Sequence, residues 1–235
     1  MTAYKLKLGH MTISNMTQRT VFVIGGKGTG KTTVLKLLAL AADEQKLRVY
    51  VFDTLGVINI KGFQRIWFKK TDIPNGAAAG KLFSNKSKQN IIFSFKDFNQ
   101  NELVEFLDPF FQNWKVTDAI IIMDEVHELC GQSVTGNKYS MEVERAFRHW
   151  RNNNVGFIAA TQRPAFTSKN VLALTDYLIL FRVTYPNDLN AVKEILGNML
   201  TKEETDDVLN KLKTKEFLNG YSVDFRHAEA AHDKK

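Results

Sequence analysis

Lys31 and Thr32, directly behind a run of glycines, are the residues whose types and spacing point most directly to chemistry. The stretch reads Gly25-Gly26-Lys27-Gly28-Thr29-Gly30-Lys31-Thr32-Thr33. It matches G-x-x-x-x-G-K-[ST], a pattern that cradles phosphate when a strand precedes it and a helix follows. Both flanks are present: Val21-Phe22-Val23-Ile24 before, Val34 to Leu40 after. Glycines let the backbone wrap an anion closely. Successive N–H groups and the helix N-terminus then supply positive potential. Lys31 would reach the β- and γ-phosphates of ATP, and Thr32 would offer its hydroxyl to Mg²⁺. Lys27 could touch phosphate, a neighbour or only water.

A second chemical pair is Asp124-Glu125, which closes the apolar run Ala119-Ile120-Ile121-Ile122-Met123. In α/β sheets ligands bind at the carboxyl ends of strands, where the glycine-rich loop also lies. Asp124 would hold the hydrated Mg²⁺ and Glu125 would orient or deprotonate the attacking water. His127, one turn beyond Asp124, reads as a helical surface residue rather than a proton shuttle. The next strand ends Ala160-Thr161-Gln162-Arg163-Pro164, and Gln162 is the candidate sensor of the γ-phosphate. Asp53, closing Arg48–Phe52, either faces the site or caps a turn.

The elements that must position these groups follow from periodicity. Thr20–Ile24, Arg48–Asp53, Ile91–Phe95, Ala119–Met123, Val155–Ala160 and Tyr177–Val183 read as strands, with Tyr221–Phe225 a terminal one. Their continuous apolar character suits a parallel sheet covered on both faces. Lys31–Glu44 and Met141–Asn152 read as helices. Leu103, Phe106, Leu107, Phe110, Phe111 and Trp114 form the apolar face of another, which Pro109 would kink or restart. Pro186 opens a helix stopped by Gly197, and Thr201 with Glu204 makes a capping box for the last. Residues 69–90, where lysines lie among Gly, Ser, Asn and Ala, read as a loop or loosely structured insert. Residues 1–19 read as a polar, loosely attached arm, and 20–235 as one α/β domain. Strands alternating with helices give a mainly parallel sheet with helices on both faces.

Composition agrees. The 235 residues are 44% hydrophobic and 24% charged, enough to bury a proper core. A net charge of +7 favours an anionic partner such as nucleic acid. One cysteine, Cys130, excludes an intrachain disulfide and suits a reducing cytosol. No Cys/His spacing suggests zinc, no apolar run approaches a membrane span, and residues 1–19 do not read as a signal peptide.

Gly25–Thr32, Ile120–Glu125 and above all Arg151-Asn152-Asn153-Asn154-Val155-Gly156-Phe157-Ile158-Ala159-Ala160-Thr161-Gln162-Arg163-Pro164 resemble the FtsK/HerA superfamily of DNA-pumping ATPases. Motors of that superfamily have a similar arginine, small turn, apolar strand and T-Q-R-P. Where their turn commonly carries glycine, this chain has Asn154, which tolerates a left-handed backbone. The resemblance covers roughly residues 20–200. It implies a RecA-like P-loop core in a ring, usually hexameric, with ATP between subunits and double-stranded DNA in the channel. It also implies that Arg151, with Arg148 as the alternative, completes the neighbour's site in trans. The loop after the Asp-Glu strand would face DNA through Gln132, Ser133 and Lys138. The lysine-rich stretch, with Lys81, Lys86 and Lys88, is a second candidate. Nothing reads as a membrane anchor or a DNA-reading winged helix. The chain therefore looks most like the short genome-packaging ATPases of tailless viruses and membrane-containing phages. For those, a capsid vertex or portal protein is the expected partner, and the host cytoplasm or the virion the expected location. The same likeness would cover a conjugation or repair DNA pump. A nucleotide-dependent switch or assembly protein for phage secretion, with no DNA in its channel, is an expectation of a different class.

Overall fold

The computed structural model describes residues 5–8, 11–84, 90–132, 139–197, 200–213 and 221–224. Its strands are β1 (Lys5–Leu8), β2 (Met11–Ser14), β3 (Thr20–Ile24), β4 (Arg48–Asp53), β5 (Gln64–Trp67), β6 (Ile91–Ser94), β7 (Ala119–Met123), β8 (Val155–Thr161), β9 (Tyr177–Leu180) and β10 (Tyr221–Asp224). Its α-helices are α1 (Lys31–Glu44), α2 (Gly76–Phe83), α3 (Gln100–Asn113), α4 (Met141–His149), α5 (Lys169–Leu172), α6 (Pro186–Gly197) and α7 (Lys202–Lys213). The main sheet runs β10-β9-β3-β8-β7-β4-β6-β5, parallel throughout except that β10 pairs antiparallel with β9.

The apolar runs are buried on both faces. In β7, Ala119, Ile121 and Met123 join one hydrophobic layer with α3 and α4, while Ile120 and Ile122 join the other with α1. β4 divides in the same way, Tyr50 and Phe52 against Val49 and Val51. This period-two division is what a continuous apolar strand requires when helices cover both faces. The α3 face is core, as its spacing predicts: Phe106, Phe110 and Phe111 are buried beside Phe52, Phe68 and Phe93. Asn99 and Glu102 cap α3 reciprocally. Pro109 neither stops nor restarts it.

Two sequence expectations need correction, and one strand was not foreseen. Residues 70–83 are not a loop: a 3₁₀ turn, Lys70–Asn75, leads into α2. The glycines that suggested a loop are contact points. A Cβ on Gly76 would lie 2.2 Å from the Phe106 carbonyl oxygen, and one on Gly80 2.3 Å from that of Phe110. Small residues one turn apart let α2 lie on the backbone of α3. The arm is not loose either: β1 and β2 form a hairpin, and Ile13 and Met16 are buried in the core. Gly156 makes room for this segment, since its Cβ would meet the Met16 carbonyl oxygen at 1.9 Å. Finally, β5 is a strand that the pattern Gln-Arg-Ile-Trp does not announce, because a four-residue edge strand carries little periodicity. The capping box at Thr201 and Glu204 and the left-handed backbone of Asn154 (φ 61°) are both present. Among the described residues, no helix is long and apolar enough to cross a membrane.

Candidate active site

The glycine-rich loop leaves the carboxyl end of β3 pinned between its neighbours. The Gly25 N–H donates to the Thr161 carbonyl at the end of β8 (3.2 Å), and the Gly26 N–H donates to the Arg182 carbonyl past β9 (2.8 Å). Only glycine fits at position 25, where a Cβ would be 2.5 Å from the Phe181 Cβ. Gly28 and Gly30 take positive φ angles of 74° and 106°, which turn the chain into α1. The first-turn N–H groups of α1, through Thr32 and Thr33, have no intrahelical partner. Thr29 closes the loop internally, its hydroxyl donating to the Gly26 carbonyl (2.8 Å). Lys27 is exposed.

Lys31 is 6% exposed. Its Nζ donates to the Gly26 carbonyl (3.0 Å) and stands 3.9 Å from the Glu125 carboxylate. Asp124 and Glu125, two strands from β3 across β8, are buried at the end of β7. Glu125 takes a left-handed backbone, φ 50° and ψ 52°, a strained choice for a residue with a side chain and one that clusters at functional sites. The strain bends the chain so that the Glu125 carboxylate returns to β8, where it accepts the Gln162 N–H (3.1 Å). Burial, then the charges of Glu125 and Asp53, push Asp124 up to about 6. Burial also raises Glu125, opposed by Lys31. Two buried carboxylates beside one lysine suit a divalent cation, which would offset their repulsion. Thr32 lies in the first turn of α1, partly buried; Mg²⁺ takes one or two protein oxygens and completes its shell with phosphate and water. Among the described residues there is no cluster of three or more metal-ligating side chains, as such a site requires none.

His127 is not a surface residue. It lies on the 3₁₀ turn Val126–Glu128, where the Glu125 bend turns its ring inward. Its Nδ1 is 3.3 Å from the Glu125 Oε2 and 3.2 Å from the Thr161 hydroxyl. Burial, then Arg163 and Lys31, push its pKa down to about 4, so the ring is neutral at pH 7. Asp53 caps a turn: its carboxylate accepts the N–H groups of Val57 and Ile58 and pairs with Arg65 at 3.1 Å.

Sequence reasoning gave no role to Thr161, Arg163 or Asp188. The Arg163 Nε lies 3.4 Å from the buried Asp188 carboxylate, and its guanidinium stacks over Phe166 and Tyr185. Asp188 also accepts the Ala165 N–H (3.1 Å). This clamp ties the start of α6 to the segment beyond Gln162. The signal was the Pro186-Asn187-Asp188 helix start, but only the fold brings it beside β8.

Arg151 sits apart from this constellation, on the 3₁₀ turn Trp150–Asn153 that enters β8 from its opposite end. A strand such as β8 (Val155–Thr161) spans roughly 20 Å at ~3.3 Å per residue, so Arg151 cannot reach the loop of its own chain. It is exposed and, among the described residues, has no ion pair, whereas Arg148 is paired with Glu144. Gln132 is anchored: its N–H donates to the Phe166 carbonyl (2.7 Å) and its Nε2 to that of Thr167 (3.2 Å). Lys81 is exposed on α2. Ser133, Lys138, Lys86 and Lys88 lie outside the described residues.

Comparison with known proteins bears on this geometry. Residues 21–183 match the family model described as ATPase family associated with various cellular activities (AAA). No curated protein matches the chain. Among solved structures it is similar to the genome packaging NTPase B204 from Sulfolobus turreted icosahedral virus 2 in complex with AMPPCP: 18% identity, TM-score 0.61, covering 90% of this chain and 95% of that one. It is also similar to VirB4 of Thermoanaerobacter pseudethanolicus, at 11% identity and TM-score 0.56, covering 88% and 90%. A third is the bacterial conjugative coupling protein TrwBΔN70, at 8% identity and TM-score 0.57, covering 83% and 78%. At these identities the shared property is the fold, a RecA-like P-loop NTPase sheet.

Proposed function

The chain belongs to the ATPase family associated with various cellular activities (AAA), and on that premise we propose that it is a ring motor that hydrolyses ATP to translocate double-stranded DNA, packaging a viral genome into a capsid. The observation that carries the reading is the division of β8. Its carboxyl end, through the Gln162 N–H, holds the Glu125 carboxylate beside Lys31, while the turn that enters its amino end carries the exposed Arg151. A phosphate loop at one end of the strand and an exposed arginine at the other fit the two sides of one interface between copies.

In this reading the amides of Gly25–Thr33 and Lys31 bind the phosphates. Thr32 and Asp124 hold Mg²⁺, which neutralises phosphate charge when bound. Glu125 orients the attacking water and takes its proton. Gln162 senses the γ-phosphate. Arg151 enters the neighbour's site, a role worth on the order of 10³–10⁵ in rate in other NTPases. DNA lies in the channel of a homo-oligomeric ring, a hexamer by the sequence resemblance, against the 131–139 segment or the 69–90 segment. A capsid vertex or portal protein is the docking partner, in the host cytoplasm or on the virion. Similarity in fold to a genome packaging NTPase over nine-tenths of the chain supports the packaging role.

The test is steady-state ATP hydrolysis with and without duplex DNA over a salt series. The motor reading expects stimulation that weakens steeply with salt, because phosphate contacts release counterions. Turnover indifferent to duplex at every salt concentration would favour a nucleotide-dependent switch that moves no DNA.

A further inference from the structure

β5 leaves one side of the main sheet open. The Gln64 N–H donates to the Asn90 carbonyl (2.9 Å) and the Phe68 N–H to the Ser94 carbonyl (3.0 Å), both on the β6 side. Backbone groups alternate in direction along a strand, so the N–H and C=O groups of Arg65 and Trp67 point away from β6. Among the described residues no strand pairs with them. Such an edge is a template for another strand.

Beside that edge lies an apolar patch. Leu55, Val57 and Trp67 are 46%, 57% and 51% exposed. They are held together rather than scattered. The Asp53 carboxylate accepts the Val57 and Ile58 N–H groups (3.1 and 2.9 Å), and Ile58 is fully buried. This anchored turn leaves Leu55 and Val57 exposed on either side of Gly56. The turn lies against the edge strand: a Cβ on Gly56 would be 3.1 Å from the Trp67 ring and 3.0 Å from the Lys96 Cβ. The Arg65 guanidinium sits over the Trp67 ring, 4.7 Å from its centroid, and pairs with Asp53 at 3.1 Å. Asp53 therefore braces both halves of the patch. Single exposed apolar side chains are ordinary, but a braced group of three beside unpaired backbone marks a docking surface.

The surroundings are basic. Across residues 54–69 and 95–98, Lys61, Lys69 and Lys96 are exposed and have no ion pair among the described residues. Asp97 is the one exposed carboxylate in those stretches. Like charges disfavour pairing with the same edge of a second copy. A nucleic acid would find cations here, but Leu55 and Val57 give a base no ring to stack on, and Arg65 already covers Trp67. An extended acidic peptide with aliphatic side chains matches the open backbone, the patch and the charge together. We propose that the β5 edge docks an acidic segment of a partner protein, which adds as a strand outside β5 and seats its apolar side chains on Leu55, Val57 and Trp67. That the partner is a capsid vertex or portal protein rests on the packaging reading above; the surface does not.

The probe is a fluorescein-labelled octapeptide of alternating glutamate and valine, titrated with the full chain and followed by anisotropy. Binding is expected, and it weakens as salt rises. Methylating every second peptide nitrogen should abolish binding in one register and spare it in the other, the mark of a strand bonded along one edge. Trp67→Ala should weaken binding by roughly tenfold or more, as loss of an aromatic anchor does. Its ATP turnover should match wild type, which shows that the variant is folded. Lys96→Glu should also weaken binding, and should improve that of a lysine–valine octapeptide. No binding of the glutamate–valine peptide, or binding that both variants leave unchanged, overturns the proposal. So does loss of oligothymidylate binding in Trp67→Ala, which assigns the patch to nucleic acid. Loss of self-association in that variant also overturns it, assigning the patch to a second copy. DNA stimulation of ATP turnover, which judges the motor reading, is measured separately on the same proteins.

Discussion

Asp124 and His127 are two of the site's buried ionisable groups, and the protein moves their pKa values in opposite directions. Asp124 stands at about 6, above its ordinary 3.8, so between pH 4 and 6 the folded state binds a proton that the unfolded chain has lost. Its contribution favours folding below about 4 and is lost as pH rises through 6. His127 stands at about 4, below its ordinary 6.5, so in that window the unfolded chain holds the extra proton. Its contribution is present above 6.5 and is lost as pH falls through 4. The two slopes oppose each other in wild type. In metal-free urea titrations, relative to wild type, Asp124→Asn should make stability rise with pH between 4 and 6. His127→Gln should make it fall with pH between 4 and 6.5, each by on the order of 3 kcal/mol. Slope changes of the same sign would contradict these environments. Lys31, Asp124 and Glu125 were legible in the sequence because each belongs to a pattern that carries its own context. His127 was not. Its inward turn depends on the left-handed backbone of Glu125, and nothing about a glutamate announces φ 50°.

At the scale of elements, the helix that looked like a loop is the most instructive. Gly76-Ala77-Ala78-Ala79-Gly80 has the composition of a flexible segment, and helix propensity alone argues against two glycines in one helix. What overrides propensity is contact. Both glycines sit where another residue's Cβ would strike the backbone of α3. Gly76→Ala should therefore cost about 2 kcal/mol or more, despite alanine's better propensity. Ala78→Ser, on the exposed face, should cost under about 0.5 kcal/mol. Denaturation midpoints for the pair decide it, and equal midpoints would mean that the helices do not approach so closely. The long parallel strands and α3 were readable because burial on two faces, or on one helical stripe, leaves a periodic record. The edge strand β5 and the hairpin β1–β2 leave none, being short and, for β5, only half-buried.

The whole molecule places Lys31 and Arg151 at opposite ends of the parallel strands. In the proposed ring, one chain would offer its nucleotide loop to the exposed arginine of the next, head to tail. Mixing Arg151→Ala with Lys31→Ala subunits should restore part of the hydrolysis that either lacks alone. Each mixed ring then contains some interfaces with an intact loop facing an intact arginine. Mixed rings confirmed by native mass measurement but inactive at every ratio would remove Arg151 from this role. The parallel sheet was readable from the sequence; the distance between these two residues was not, because it exists only once the strand order is known. The central claim, movement along DNA, is tested most directly by displacement of a labelled third strand from a duplex that carries it downstream of a loading site. The motor reading predicts that ATP drives release of the third strand, and that neither a non-hydrolysable ATP analogue nor the Lys31→Ala protein does. Vigorous ATP hydrolysis by DNA-bound protein with the third strand left in place would contradict it.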